Sequence, residues 1–416
     1  MTLFGGVISV TGISFFLMCV FAILFVGYAL GRITIKGVSL GDAGVFIVAL
    51  LFGALFCSNA FSATPAIQFN HEWLEIIESF GLVLFVTSVG FIAGPKFFAN
   101  MKKNFKSYVL LGLIVILAGG IAAVTCIMLG ENVFGYGAES ITNRDGFVAM
   151  IVGLLSGSLT STPAFSAAKA TVAPEYQSLV SVGHGIAYIF GVIGVVLFVQ
   201  LIPKLTKANM DEERSKLTVS HNEGKASKIV KLFHLDHMGF GVFSVAAILG
   251  TVVGKIKIPM SGAGLSGTCF SLTTTGGCLL VSLILGHFGR VGRLSLMPEQ
   301  STLKLFRELG LVLFLVGAGI PGGADFVANF NGMYFVYGII MTIVPLIAGY
   351  FFSKYVLKLS LLNNLGSITG GMTSTPALGT LIATAGTEDV AAAYAATYPI
   401  ALIAVVLVSQ FLIILF

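Results

Sequence analysis

The chain has 416 residues, 56% of them hydrophobic and 10% charged, where a soluble domain carries about a quarter charged residues. That balance excludes a soluble enzyme or a nucleic-acid-binding module and predicts an integral membrane protein. The formal charge of +5 is small, and its placement matters more than its size.

Apolar runs long enough to cross a hydrocarbon core recur from end to end. Spanning segments are predicted near 7–30, 40–59, 75–95, 107–129 and 178–203, then near 237–254, 268–288, 303–322, 333–357 and 391–416. Two further stretches, 147–170 and 362–385, are equally long but interrupted by Gly- and hydroxyl-rich patches. The longest polar stretch runs only from Lys204 to Asp236. The first apolar run has no basic flank and exceeds a signal-peptide core, so no cleaved leader is expected. Cys19, Cys57, Cys126, Cys269 and Cys278 are isolated in or beside apolar segments, which fits packing rather than disulfides or metal ligation.

The sequence repeats itself. GLVLFVTSVGFIAGPKFFAN at Gly81 aligns with GLVLFLVGAGIPGGADFVAN at Gly310, with half the positions identical. Gly153, Gly157 and Thr160 to Ala164 likewise match Gly366, Gly370 and Thr373 to Ala377. Three parts follow: a membrane repeat over 1–203, a short cytoplasmic linker over 204–236 and a second repeat over 237–416.

If both patch-bearing stretches enter and leave on one side, most Lys and Arg share a face. Arg32, Lys36, Lys96, Lys102, Lys103, Lys106, the linker, Arg290, Arg293, Lys304, Arg307, Lys354 and Lys358 fall there, with Lys255 and Lys257 as exceptions. The acid-bearing loops around His71–Glu75, Glu131–Asp145 and Asp325 fall opposite. The positive-inside rule then makes the first face cytoplasmic and leaves both termini outside. The expected fold is an all-α polytopic membrane protein. It has two inverted-topology repeats, each of five transmembrane helices plus one re-entrant hairpin or broken helix, at 147–170 and 362–385. That is a plan of secondary transporters.

Thr160-Ser161-Thr162-Pro163 and Thr373-Ser374-Thr375-Pro376 read as helix starts, with Thr162 and Thr375 as N-caps and proline at the first helical position. Irregular backbone at membrane depth survives only beside protein or a watery cavity. Helix starts favour anions, so two of them arriving from opposite sides would hold one small anionic ligand. The competing reading is helix packing by small residues. His184, with a counterpart expected near Tyr398-Pro399, joins the candidates as an intramembrane ionisable group. Lys169 is expected to snorkel to the interface or to neutralise a substrate carboxylate. Asp42 and His287 are expected at the interface. Gly94, Pro95 and Gly323 are expected to end the third helix of each half. HExxH, P-loop and GxSxG motifs are missing, as are paired carboxylates in central segments. No enzyme, metal or cofactor is therefore expected, and a passive channel lacks a ring of like charges or a filter sequence.

These signatures, VGFIAGPKFF (Val89–Phe98), GSLTSTPAFSAA (Gly157–Ala168) and GGMTSTPALGT (Gly370–Thr380), resemble the aspartate–alanine exchanger family. That family sits among transporters similar to bile-acid symporters and cation–proton antiporters. The resemblance implies exchange of amino acids or dicarboxylates (the aspartate, alanine and succinate class), with an elevator-like core moving against a dimerising scaffold. A homodimer in the bacterial inner membrane would then bind a small anionic or zwitterionic metabolite, and no nucleic acid. Carried over, the contacts are Thr160, Ser161, Thr162, Pro163, Thr373, Ser374, Thr375 and Pro376. A sodium-coupled symporter of the same substrates is the alternative. Many members carry soluble domains between the halves, whereas this linker is short, with seven Lys or Arg and five Asp or Glu.

Overall fold

The computed structural model describes all residues except 1, 4–7, 36–37, 40, 42, 59–66, 136–142, 218–232, 234, 260–268 and 388. Side chains are also left undescribed at 2–3, 8–9, 34–35, 38–39, 43, 96–106, 269–270, 327 and 375–376. The expectations for Lys36, Asp42 and most of the linker, and those for the side chains of Lys96, Lys102, Lys103, Lys106, Cys269, Thr375 and Pro376, lie outside the described residues.

Helices dominate, as the apolar runs require. In chain order they are α1 (Gly12–Gly31), α2 (Ala43–Phe52), α3 (His71–Asn104), α4 (Leu110–Val133), α5 (Arg144–Ser158), α6 (Thr162–Thr171) and α7 (Gln177–Leu205). They continue as α8 (Met210–Ser215), α9 (Phe240–Gly254), α10 (Thr273–Phe288), α11 (Gln300–Asn329), α12 (Gly332–Phe351), α13 (Leu361–Gly371), α14 (Thr375–Ala385) and α15 (Val390–Leu415). Among the described residues, seven helices are long and apolar enough to cross a membrane. Among the described residues, four two-residue strand pairs lie before the first helix and in the connections. Pro95, Gly94 and Gly323 do not end their helices: α3 continues to Asn104 and α11 to Asn329.

Outward faces carry the apolar rows that lipid needs. On α7, Ile189, Ile193, Leu197, Leu201 and Leu205 repeat every fourth residue and are all exposed, forming one stripe of a helix. The largest buried cluster is built around α5, α7, α4 and α12, with Phe147, Met150, Ile151, Leu155 and Val192 fully or almost fully buried and smaller clusters beside it.

Glycines set the closest approaches. A Cβ on Gly81 would lie 2.7 Å from Gly310 O, and one on Gly310 would lie 2.6 Å from Gly81 O. Helices α3 and α11 therefore cross at backbone contact, each through the same position of the repeated motif.

Both interrupted stretches fold back on themselves as helical hairpins. Gly153 abuts Val180, Gly157 abuts His184, and Gly191 abuts Gly157 and Ser158. Residue numbers rise together, so α5 and α7 run parallel and α6 must return to the side from which α5 left. Consistent with that return, Asn143 Nδ2 donates to Tyr176 Oη, joining the start of α5 to the turn before α7. Helices α13 and α15 repeat the arrangement, with Gly366 against Val390 and Gly370 against Tyr394. The hairpins span Arg144–Thr171 and Leu361–Ala385.

The linker helix α8 holds the second hairpin at its base. Glu213 Oε2 accepts from Leu361 N at 2.9 Å, and Arg214 Nε donates to Ala385 O at 2.6 Å. An acid at the start of α13 and a base at the end of α14 each oppose a helix dipole of the complementary sign.

Candidate functional site

The two hairpin tips meet inside the protein. Helix α5 ends in a Schellman turn: Thr160 N donates to Gly157 O at 2.9 Å and Ser161 N to Ser156 O at 2.8 Å. Helix α13 ends identically, with Thr373 N bonded to Gly370 O and Ser374 N to Thr369 O, both at 3.1 Å. This motif places its second-last residue in the left-handed region, where glycine is usual. Here that residue is Thr160 at φ 50° and Thr373 at φ 51°. A β-branched side chain there costs about 1–2 kcal/mol.

The hydroxyls explain why threonine is kept. Thr160 Oγ1 donates to Met372 O at 3.0 Å, and Thr373 Oγ1 donates to Leu159 O at 2.9 Å. Each tip closes the other's open carbonyl by the same bond. Thr160, Thr162 and Thr373 retain 6–8% of their exposure, whereas Ser161 and Ser374 retain none. The two tips are therefore in direct contact, joined by their threonine hydroxyls.

The caps fall one residue earlier than the sequence suggests. Ser161, not Thr162, precedes α6, and its Oγ accepts from Ala164 N at 3.3 Å; Thr162 is the first helical residue and Pro163 the second. Likewise Ser374, not Thr375, precedes α14. The Schellman turns cause the shift, because they use Thr160 and Thr373 as the reversal residue and hand the cap to the following serine.

His184 stands directly behind the first tip. Its Nδ1 is 2.8 Å from Ser156 Oγ, its ring stacks on Phe165 at 4.2 Å, and its Nε2 is buried without a partner. Phe46 and Tyr188 complete an aromatic cage. The repeat counterpart of His184 is Tyr394 rather than the Tyr398-Pro399 position, because Gly157 meets His184 as Gly370 meets Tyr394. Tyr398 stacks on Tyr394 and packs with Phe85, Val86, Cys278 and Leu402.

Lys169 does not snorkel. It is 5% exposed, and its Nζ contacts both Glu78 carboxylate oxygens at 2.8 and 2.9 Å. Glu78 was legible as an acid inside a predicted span, a default functional signal, but its partner lies far away in sequence. Also unforeseen are Ser158 Oγ on Gly338 O, Ser166 Oγ beside Thr275 Oγ1 at 3.1 Å, and Ser367 Oγ beside Thr397 Oγ1. These tie the hairpins to α12, α10 and α15. His287 lies in the last turn of α10 and is half-buried. A cavity of about 300 Å³ between His237 and Gln300 includes no residue of either hairpin. Among the described residues, no cluster of His, Cys, Asp and Glu could hold a metal ion.

What this arrangement offers is donors at two helix starts and acceptors at two threonine hydroxyls, with no formal charge in either tip. Such an arrangement presents hydrogen-bonding groups suited to a polar or charged solute.

Comparison with known proteins agrees with a transport class. The aspartate–alanine exchanger family profile, described as a predicted permease membrane region, matches residues 19–204 and 242–414. The chain belongs to that family and is a multi-pass membrane protein. An uncharacterized transporter of Bacteroides fragilis is 26% identical over 547 aligned residues, covering 94% of this chain and 96% of its own length. One of Geobacter sulfurreducens is 25% identical over 564, covering 95% and 97%. Both alignments exceed the 416 residues of this chain, so these relatives carry segments without counterpart here.

Proposed function

We propose that this protein is a secondary active transporter that exchanges small carboxylates or amino acids of the aspartate, alanine and succinate class. The single observation that supports this most is the reciprocal contact of two hydroxyl-bearing hairpin tips, each followed by a helix start. Helix starts favour a carboxylate. Thr160 and Thr373 each spend their proton on a carbonyl, which leaves hydroxyl lone pairs to accept from an ammonium group. A zwitterion or dicarboxylate suits that mixture of donors and acceptors.

In this reading the repeats, 1–203 and 237–416, are inverted, and the two hairpins reach the bilayer midplane from opposite sides. The linker is cytoplasmic, both termini are outside, and the protein works as a homodimer in the bacterial inner membrane. A core bearing both hairpins moves in an elevator-like manner to alternate access. Thr160, Ser161, Thr162 and Pro163 with Thr373, Ser374, Thr375 and Pro376 form the substrate contacts, and His184 and Tyr398 line the second row. Exchange suits a site without an acid, because the returning solute, not a titrating carboxylate, accompanies the empty-to-loaded cycle.

Proteoliposomes test it. Uptake of labelled aspartate or succinate should require unlabelled substrate inside and be indifferent to sodium. Robust net uptake into empty vesicles refutes exchange, and a steep sodium dependence transfers the assignment to a symporter. The Thr162→Val/Thr375→Val double variant should weaken binding while leaving the fold intact; unaltered transport in that variant refutes the site.

A further inference from the structure

The two helix starts are alike in sequence and unlike in structure. Ser161 Oγ caps Ala164 N, which closes the first turn of α6. Ser374 is fully buried, yet its Oγ has no hydrogen-bond partner and α14 has no side-chain cap. A buried hydroxyl left unpaired is costly, and natural structures keep few of them. The flanks differ in the same sense. All of α6 from Thr162 to Lys169 is buried, and Ser166 is held by Thr275. At the matching position Gly379 is exposed, with nothing within 4 Å of where a Cβ would stand.

We propose that the carboxylate of the transported solute docks on the start of α14 alone, bound by Ser374 Oγ–H and the Ala377 amide and reached along the Gly379 flank. Pro376 supplies no amide, so these two donors match the two oxygens of one carboxylate. The start of α6 is closed on itself and serves as the opposing wall, with Thr160 and Thr373 holding the tips in register. This inference rests on the carrier reading above and gives the two tips different duties.

Thermal-shift titration of the full chain in detergent tests it, with aspartate, succinate and acetate as probes and neutral acetamide as control. The carboxylates should raise the wild-type Tm and acetamide should not. Ser374→Ala should keep the ligand-free Tm and need at least tenfold more aspartate for the half-maximal shift. Ser161→Ala should lower the ligand-free Tm and displace the aspartate titration at least fivefold less than Ser374→Ala does. Ser374→Cys, which keeps volume but donates weakly, serves if the alanine variant fails to fold, with the same tenfold expectation. Gly379→Leu should obstruct the approach and raise the aspartate requirement. Ser374 variants that titrate like wild type, equal losses at Ser161 and Ser374, or a wild type blind to carboxylates would each overturn the proposal. Carboxylate binding without exchange in vesicles would count against the carrier reading and leave the docking site standing. Exchange with equal losses at both serines would do the reverse.

Discussion

The first hairpin is a closed object and the second is not. Helices α5 and α6 are buried along most of their length, Ser161 caps its own helix, and Lys169 anchors the base to Glu78 on α3. Helix α14 is exposed at Gly379, lacks a side-chain cap, and is held at its base by the half-exposed Arg214 of the linker. Ile382 stands where the first half has Lys169. The two hairpins thus share their tip bonds and the packing of their first helices, and differ in cap, flank and base.

That contrast can be broken most severely at the ion pair. Lys169→Met strands a largely buried carboxylate, which costs about 3 kcal/mol or more, and thermal unfolding should fall accordingly. Lys169→Met/Glu78→Leu should recover most of the loss, because the penalty is an unpaired charge rather than missing volume. A smaller effect, equal in the two halves, is expected where the hairpins are equivalent. Thr160→Val and Thr373→Val keep the β-branch in the left-handed region but leave Met372 O and Leu159 O unpaired. Each should cost about 1–3 kcal/mol, and the double variant should be non-additive because the tips are in contact. The caps sharpen the difference further. Ser161→Ala should cost about 1 kcal/mol, whereas Ser374→Ala should change stability by less than roughly 0.5 kcal/mol, since no bond is lost within the usual range of neutral substitutions. At the base of the second hairpin, Arg214→Ala should cost about 0.3–1 kcal/mol through the helix dipole. Its effect on Tm should shrink as salt is raised, since the guanidinium is partly exposed and such interactions are screened.

Much of this was legible in the sequence. The duplicated GLVLF and TSTPA segments located the paired helices α3 and α11 and both hairpins, because each repeats a pattern that membrane helices otherwise lack. What escaped was whatever depended on a backbone angle or a distant partner. Nothing in the order Thr-Ser-Thr-Pro says that its first threonine adopts a positive φ, so the cap was placed one residue late. The His184 counterpart was misplaced because Tyr394 follows Thr373 by 21 residues whereas His184 follows Thr160 by 24, and a linear alignment drifts there. Lys169 looked like a snorkelling residue near a helix end; only the fold brings α3 and its Glu78 against α6. The reciprocal bonds between the tips join residues in opposite halves of the chain and leave no local trace.

Everything above turns on the solute sitting beside the paired tips, and a structure determined with saturating aspartate tests that directly. Density within hydrogen-bond distance of Ser374 Oγ at the start of α14 is the expected result. Density confined to another site, such as the cavity between His237 and Gln300, with the hairpin tips bare, would contradict the account.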